Sequence, residues 1–207
     1  KKKEELPTGT CLILVTPDSE RTMCTFLGTA GKINENDVSS NAIKESEIIF
    51  LEGYLWDEGE PKKAFEKAIN NAKKVAMSLS DLFCVERHKQ NFLDLVKTKL
   101  DLTFANESEI MALINTKNFD EVIAFAKEIK KQIIITRGEK GAISIIGDKI
   151  TEIKANKNLK IKDLTGAGDL FAAGYLHGLI NNLSTERCLE QATELSSKVI
   201  QQIGARL

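Results

Sequence analysis

The chain has 207 residues, with 29 Lys and Arg against 30 Asp and Glu, a net charge of −1 at pH 7, and 42% hydrophobic residues. That length suits one large domain, or one domain with a small appendage, and the apolar share is enough for a core. The balanced charge offers nothing to nucleic acid or an anionic membrane; no apolar run approaches a membrane span, and no apolar segment follows the charged start to make a signal peptide. Cys11, Cys24, Cys84 and Cys188 are scattered, without a C-x-x-C pair or a Cys/His cluster at zinc spacing, so the expectation is a cytoplasmic protein with reduced thiols. His88 and His177 stand too far apart in sequence to suggest a site. The first residue is Lys1 and a strand pattern follows almost at once, which reads as part of a longer protein.

Residues 11–16 and 21–27 are predicted strands, joined by the turn-forming run Pro17-Asp18-Ser19-Glu20. Gly28, Gly31, Asn34 and Asn36 mark a loop. The hairpin therefore belongs to a small unit over residues 1–30, and residues 31–207 form another. Residues 48–52 read as a short buried strand, and a helical stripe of Ala64, Phe65, Ala68 and Ala72 follows Pro61. Strands are expected at 74–79, 100–105 and 132–136, with helices at 62–73 and 87–97, from Asn106 onward, and along Phe119, Val122, Ile123 and Ala126. Strands alternating with helices imply crossover connections and a mainly parallel sheet, and near-continuous apolar strands imply burial on both faces. Residues 142–146 and 149–153 alternate around Gly147-Asp148 as an edge hairpin. Two helices, 166–180 and 185 to about 203, close the chain.

In an open α/β sheet, ligands bind beyond the carboxyl ends of the strands. Polar clusters at 78–81, 106–109 and 136–141 fall there. The run Asp163-Leu164-Thr165-Gly166-Ala167-Gly168-Asp169 leads into the apolar stretch 170–176, as a loop feeding a buried helix. Gly166 and Gly168 allow a tight turn and a close approach to a ligand, and the first turn of a helix stabilises an anion such as phosphate. Asp169 would repel a static phosphate there. It makes sense if the phosphoryl group is moving and the carboxylate takes a proton from the attacking hydroxyl. An ordinary capped helix would also use glycines and an early Asp. Asn106-Glu107-Ser108-Glu109 is likewise open to two readings, a capping box or a place for Mg²⁺.

The string from Asp163 to Asp169, with Phe171-Ala172-Ala173-Gly174-Tyr175, closely resembles the C-terminal signature of the ribokinase-like (PfkB) kinases, usually written D-T-x-G-A-G-D. Leu164 and Thr165 depart from the common form, while the glycines and Asp169 match it. Asn106 and Glu109 match the family's N-x-x-E, and Thr136-Arg137-Gly138-Glu139-Lys140-Gly141 matches its T-x-G-x-x-G, in the family's order. Leu79-Ser80-Asp81-Leu82-Phe83 and residues 104–109 are more similar to the adenosine kinase branch than to the sugar kinase branch.

The resemblance covers the chain from about Thr8 to its end. It implies a ribokinase-like three-layer α/β/α fold with a mainly parallel sheet, plus a β-hairpin from a small lid. The family's N-terminal part, with its substrate-binding residues, is absent. The implied activity is ATP-dependent transfer of the γ-phosphoryl group to a hydroxyl of an adenosine-like nucleoside or a sugar. The alternatives are a sugar kinase of the same fold or a truncated, non-catalytic nucleotide-binding relative. Asp169 would be the base, with Gly166, Ala167 and Gly168 stabilising charge. Glu109 would serve Mg²⁺. Asn106, Thr136, Gly138, Gly141 and Thr165 would line the nucleotide, and helix 185–203 would border its adenine. Arg21 is either a surface residue on an exposed strand or a lid residue reaching the phosphates. The cofactors implied are ATP and Mg²⁺, with a monovalent cation such as K⁺ near the Asp163 loop in some relatives. The expected partner is a small-molecule nucleoside or sugar, with a monomer or homodimer. A dinucleotide-dependent oxidoreductase is disfavoured, because the glycine loop is near the C-terminus and no G-x-G-x-x-G is present.

Overall fold

The computed structural model describes residues 5–56 and 59–207. Strands β1 (Thr8–Val15) and β2 (Arg21–Gly28) pair antiparallel as a two-stranded sheet of their own. The Thr16 amide donates to Glu20 O at 2.9 Å and closes the turn that Pro17-Asp18-Ser19 predicted. Leu12, Leu14, Met23 and Phe26 on this hairpin are exposed.

The second sheet has six strands in the spatial order β3 (Ile49–Glu52), β4 (Val75–Ser78), β5 (Leu102–Asn106), β6 (Gln132–Thr136), β7 (Ala142–Ile146) and β8 (Lys149–Ile153). The first three pairings are parallel and the last two antiparallel, so the 142–153 hairpin lies at an edge as expected. The apolar strands are covered on both faces because successive side chains point to opposite sides. In β6, Ile133 and Ile135 enter one core while Ile134 enters the other. The first core is completed by α2 (Glu60–Asn71), α3 (Leu82–Thr98), α4 (Glu107–Ile114) and α5 (Phe119–Ile129), through Phe65, Phe92, Ile110 and Val122. The second is completed by α6 (Ala167–Ile180) and α7 (Thr185–Val199), through Phe171, Tyr175 and Leu189. This is the three-layer α/β/α arrangement of the sequence reading. Gln132 Nε2 ties α6 to the sheet, donating to Tyr175 Oη at 2.7 Å and Ser144 Oγ at 3.0 Å. Helices α6 and α7 meet backbone to backbone: a Cβ on Gly174 would lie 2.8 Å from Ala192 Cα.

Two helix boundaries and one whole element depart most from expectation. Helix α3 starts at Leu82 rather than 87, because the Asp81 carboxylate accepts the Cys84 amide at 2.7 Å and caps it. Non-helical backbone at His88 (φ −116°, ψ 21°) interrupts the same helix, which hid its first turn from periodicity. Helix α7 ends at Val199 rather than near 203, since the chain turns there and Ile203, the last residue of the predicted stripe, is exposed. A short helix, α1 (Ser40–Glu45), was not foreseen; Ser39 Oγ caps it by accepting the Ala42 amide at 3.3 Å.

Candidate active site

The parallel pairing sets the strand ends side by side: Glu52 faces Ser78 across β3 and β4, and Asn106 faces Thr136 across β5 and β6. The polar clusters foreseen at 78–81, 106–109 and 136–141 therefore share one rim.

Gly166 is the N-cap of α6 and sits in the left-handed region at φ +81°. A Cβ there would lie 2.8 Å from Ala205 Cβ, so both the conformation and the space demand glycine. The loop leading in is held by Asp163, which is buried. Its Oδ1 accepts the Thr165 amide at 2.8 Å and the Thr165 hydroxyl at 2.6 Å, and its Oδ2 accepts the Gly204 amide at 2.9 Å. The Thr165 hydroxyl bond, above all, holds the Asp163 carboxyl below the usual range. Thr165 thus faces Asp163 with both its amide and its hydroxyl. The Ala167 amide donates to Leu164 O at 3.2 Å. Among the described residues, the amides of Gly166, Gly168 and Asp169 donate to no protein acceptor. Asp169 stands in the first turn of α6 and is exposed.

Beside this helix end lies a cavity of about 1000 Å³, lined by Thr136, Gly138, Gly141, Ala167 and Gly168 among others. Thus two loops more than 25 positions apart meet at one opening. Gly141 closes the second loop at φ +100°, where a Cβ would collide with Ile153 O. Thr193, Ser196 and Ile200, on and just beyond α7, line the same cavity, together with residues 154–159 after β8. The sequence reading assigned these last no role; their only signal was a polar stretch between the edge hairpin and the glycine loop.

Glu107 ties the N-x-x-E segment to the T-x-G-x-x-G turn. Arg137 Nε donates to Glu107 Oε2 at 2.9 Å, and Lys140 Nζ donates to Oε1 at 3.0 Å. Burial pushes the Glu107 carboxyl up, but these two cations outweigh it and hold it below the usual range. The Arg137 guanidinium also stacks on Phe119, 3.7 Å from the ring centroid.

The adjoining part of the rim is acidic. Asn106 and Glu109 form the full capping box: Asn106 Oδ1 accepts the Glu109 amide at 2.8 Å, and the Asn106 amide donates to Glu109 Oε2 at 2.9 Å. Asn106 Nδ2 also donates to Glu109 Oε1 at 2.6 Å. Burial pushes the Glu109 carboxyl up, and the nearby Asp81 carboxylate adds to that. Glu52, unforeseen in the sequence, ends β3 and accepts the Ser80 hydroxyl at 3.0 Å. Burial pushes Glu52 up to about 6, and the charges that bear on it in the same direction are Asp169 and Glu109. Among the described residues no three His, Cys, Asp or Glu side chains form a metal cage. Mg²⁺ does not require one, since it is commonly held by one or two carboxylates together with water and substrate phosphates. A buried carboxylate whose charged neighbours are other carboxylates fits a divalent cation of that kind.

Arg21 starts β2, and its positive charge contributes to lowering the Asp163 carboxyl. Ser19 Oγ donates to Ile161 O at 3.1 Å, so the hairpin turn touches the segment leading into the glycine loop. Among the described residues no helix is long and apolar enough to cross a membrane.

The chain is similar to several known proteins. An adenosine kinase of Schizosaccharomyces pombe is 25% identical over 222 residues, which take in 97% of this chain and 65% of that protein. The solved adenosine kinase of Sinorhizobium meliloti superposes with a TM-score of 0.93 at 36% identity, over 97% of this chain and 63% of that one. A probable sugar kinase of Rhizobium etli gives 0.93 at 35% identity, over all of this chain and 64% of that one. The chain thus spans a little under two thirds of the length of these relatives. The model of the pfkB family carbohydrate kinases matches residues 1–207. With the glycine loop, the N-x-x-E cap and the T-x-G-x-x-G turn gathered on one rim, the chain belongs to the pfkB family of carbohydrate kinases.

Proposed function

We propose that this chain carries the nucleotide-binding and phosphoryl-transferring part of an ATP-dependent kinase whose acceptor is a hydroxyl of an adenosine-like nucleoside. A sugar acceptor is the nearest alternative. The observation that carries the reading is the Asp169 carboxylate in the first turn of α6, beside the unpartnered amides of Gly166 and Gly168. An anion site and a base in one helical turn suit a phosphoryl group that moves. The acceptor oxygen bonds to the γ-phosphorus, the bond from that phosphorus to the bridging oxygen breaks, and ADP leaves. Asp169 takes the hydroxyl proton. The amides of Gly166 and Gly168 stabilise charge on the transferring group, and that of Ala167 contributes only if shared with Leu164. Thr136, Gly138 and Gly141 line the nucleotide, with the α7 residues at its far end. Mg²⁺, when bound, neutralises phosphate charge. Glu109 would hold it, with Asn106 orienting that carboxylate through the cap. Thr165 acts through Asp163 by holding the loop, and Arg21 faces the phosphates from the hairpin.

The test is ADP release by the full-length protein with MgATP and adenosine, ribose or fructose in turn. The expected result is turnover, fastest with adenosine. MgATP binding without turnover on any of the three acceptors would replace this reading with a non-catalytic nucleotide-binding role.

A further inference from the structure

We infer that Lys140 is a phosphate-binding residue held in reserve by Glu107, an inference that rests on the nucleotide reading of the cavity. Glu107 serves two cations of the T-x-G-x-x-G turn at once. The two cations are not equivalent. The Arg137 side chain is 20% exposed and fixed from two sides, by Glu107 and by the face of Phe119. The Lys140 side chain is 63% exposed and is held by Glu107 alone among the described side chains. Its flexible four-carbon stem ends in a compact point charge.

Lys140 lines the cavity with Gly138 and Gly141, and Gly168 of the glycine loop lines it as well. A polyphosphate lying between the Gly168 amide and this turn brings several negative oxygens within reach of Lys140. An exposed ion pair with a carboxylate contributes little in water, so leaving it is cheap. Glu107 keeps Arg137 when Lys140 departs, and no buried charge is stranded. The turn itself does not have to move. The Arg137 amide donates to Gly141 O at 2.8 Å and the Lys140 amide to Arg137 O at 3.1 Å, so the backbone is closed on itself while the side chain swings. Lys154 and Lys157 line the cavity from the segment after β8, and Glu139 lines it beside Lys140. Of the three lysines, Lys140 alone is anchored to the cap that carries Glu109. Its exchange therefore links nucleotide arrival to the metal-holding helix end.

The experiment is calorimetric titration of the full-length protein and its Lys140→Met variant with MgATP, with tripolyphosphate and with adenosine, at several salt concentrations. Lys140→Met should weaken MgATP and tripolyphosphate by about tenfold, as expected for a hydrogen bond to a charged group. It should flatten the salt dependence of both and leave adenosine binding unchanged. Its melting temperature should stay within about 2 °C of the wild type, as loss of an exposed pair implies. Lys140→Arg should recover most of the affinity. Equal MgATP affinity and equal salt dependence in wild type and Lys140→Met overturn the assignment while leaving the nucleotide site intact. A wild-type protein that binds neither MgATP nor tripolyphosphate overturns the site reading itself, and this inference with it.

Discussion

Replacing Asp163 by Ala tests whether the glycine loop is shaped by its own residues or by a remote clamp. The carboxylate accepts three hydrogen bonds, two from Thr165 and one from Gly204, and it is buried. Bonds to a charged acceptor contribute about 1.5–3 kcal/mol each, but water regains part of that when the loop relaxes. At about 1 kcal/mol retained per bond, the loss is about 3 kcal/mol. For a chain of this length, that lowers the melting temperature by about 6–12 °C. The sign with pH follows from the lowered carboxyl. Its stabilising share is complete above the ordinary aspartate value and fades as pH falls through the folded-state value. The gap between wild type and variant should therefore be constant near neutrality and close in acid, below about pH 4. Thermal unfolding by circular dichroism between pH 3 and 8, with MgATP titration at pH 7.5, measures both effects. A melting temperature within 2 °C of wild type and unchanged MgATP affinity would refute the clamp.

Asp169→Asn should lower kcat by about 10²–10⁴-fold, the usual share of a general base, while MgATP still binds; near-normal turnover sinks the base assignment. Glu109→Gln should raise the Mg²⁺ concentration needed for half-maximal rate, whereas a purely capping role would lower the melting temperature by the equivalent of about 0.5–2 kcal/mol and leave the Mg²⁺ requirement alone. Glu52 has its carboxyl raised to about 6, so the folded state favours its neutral form and loses that advantage as pH rises from the ordinary glutamate value through 6. In metal-free buffer, the melting temperature of Glu52→Gln relative to wild type should climb over that interval, and a flat difference would contradict the burial argument.

Local order carried most of the fold into legibility. Runs such as 133–135 are apolar without a break, as a strand covered on both faces requires, and Ile133, Ile134 and Ile135 divide between the two cores accordingly. The Asn106 cap and the Gly166 turn were readable for the same reason, since each is made by residues within a few positions. The clamps were not. Asp163 meets Gly204 across 41 positions and Lys140 meets Glu107 across 33, and no periodicity marks either partner. Glu52 gave one faint sign, a carboxylate ending an apolar strand. The end of α7 misled because Ile203 continues the apolar stripe in sequence, while the chain there turns back to serve Asp163.

The contact between α6 and α7 sets a length. The start of α6 and Thr193 and Ser196 on α7 line the same cavity. The helices touch where Gly174 meets the Ala192 backbone, so at that point no side chain separates them. The span from the helix-end amides to the α7 wall is thus gauged by main chain against main chain, as with a caliper whose jaws are locked. Substituting a larger residue at Gly174 would reset the gauge, lengthening the span without altering a single group that a ligand touches.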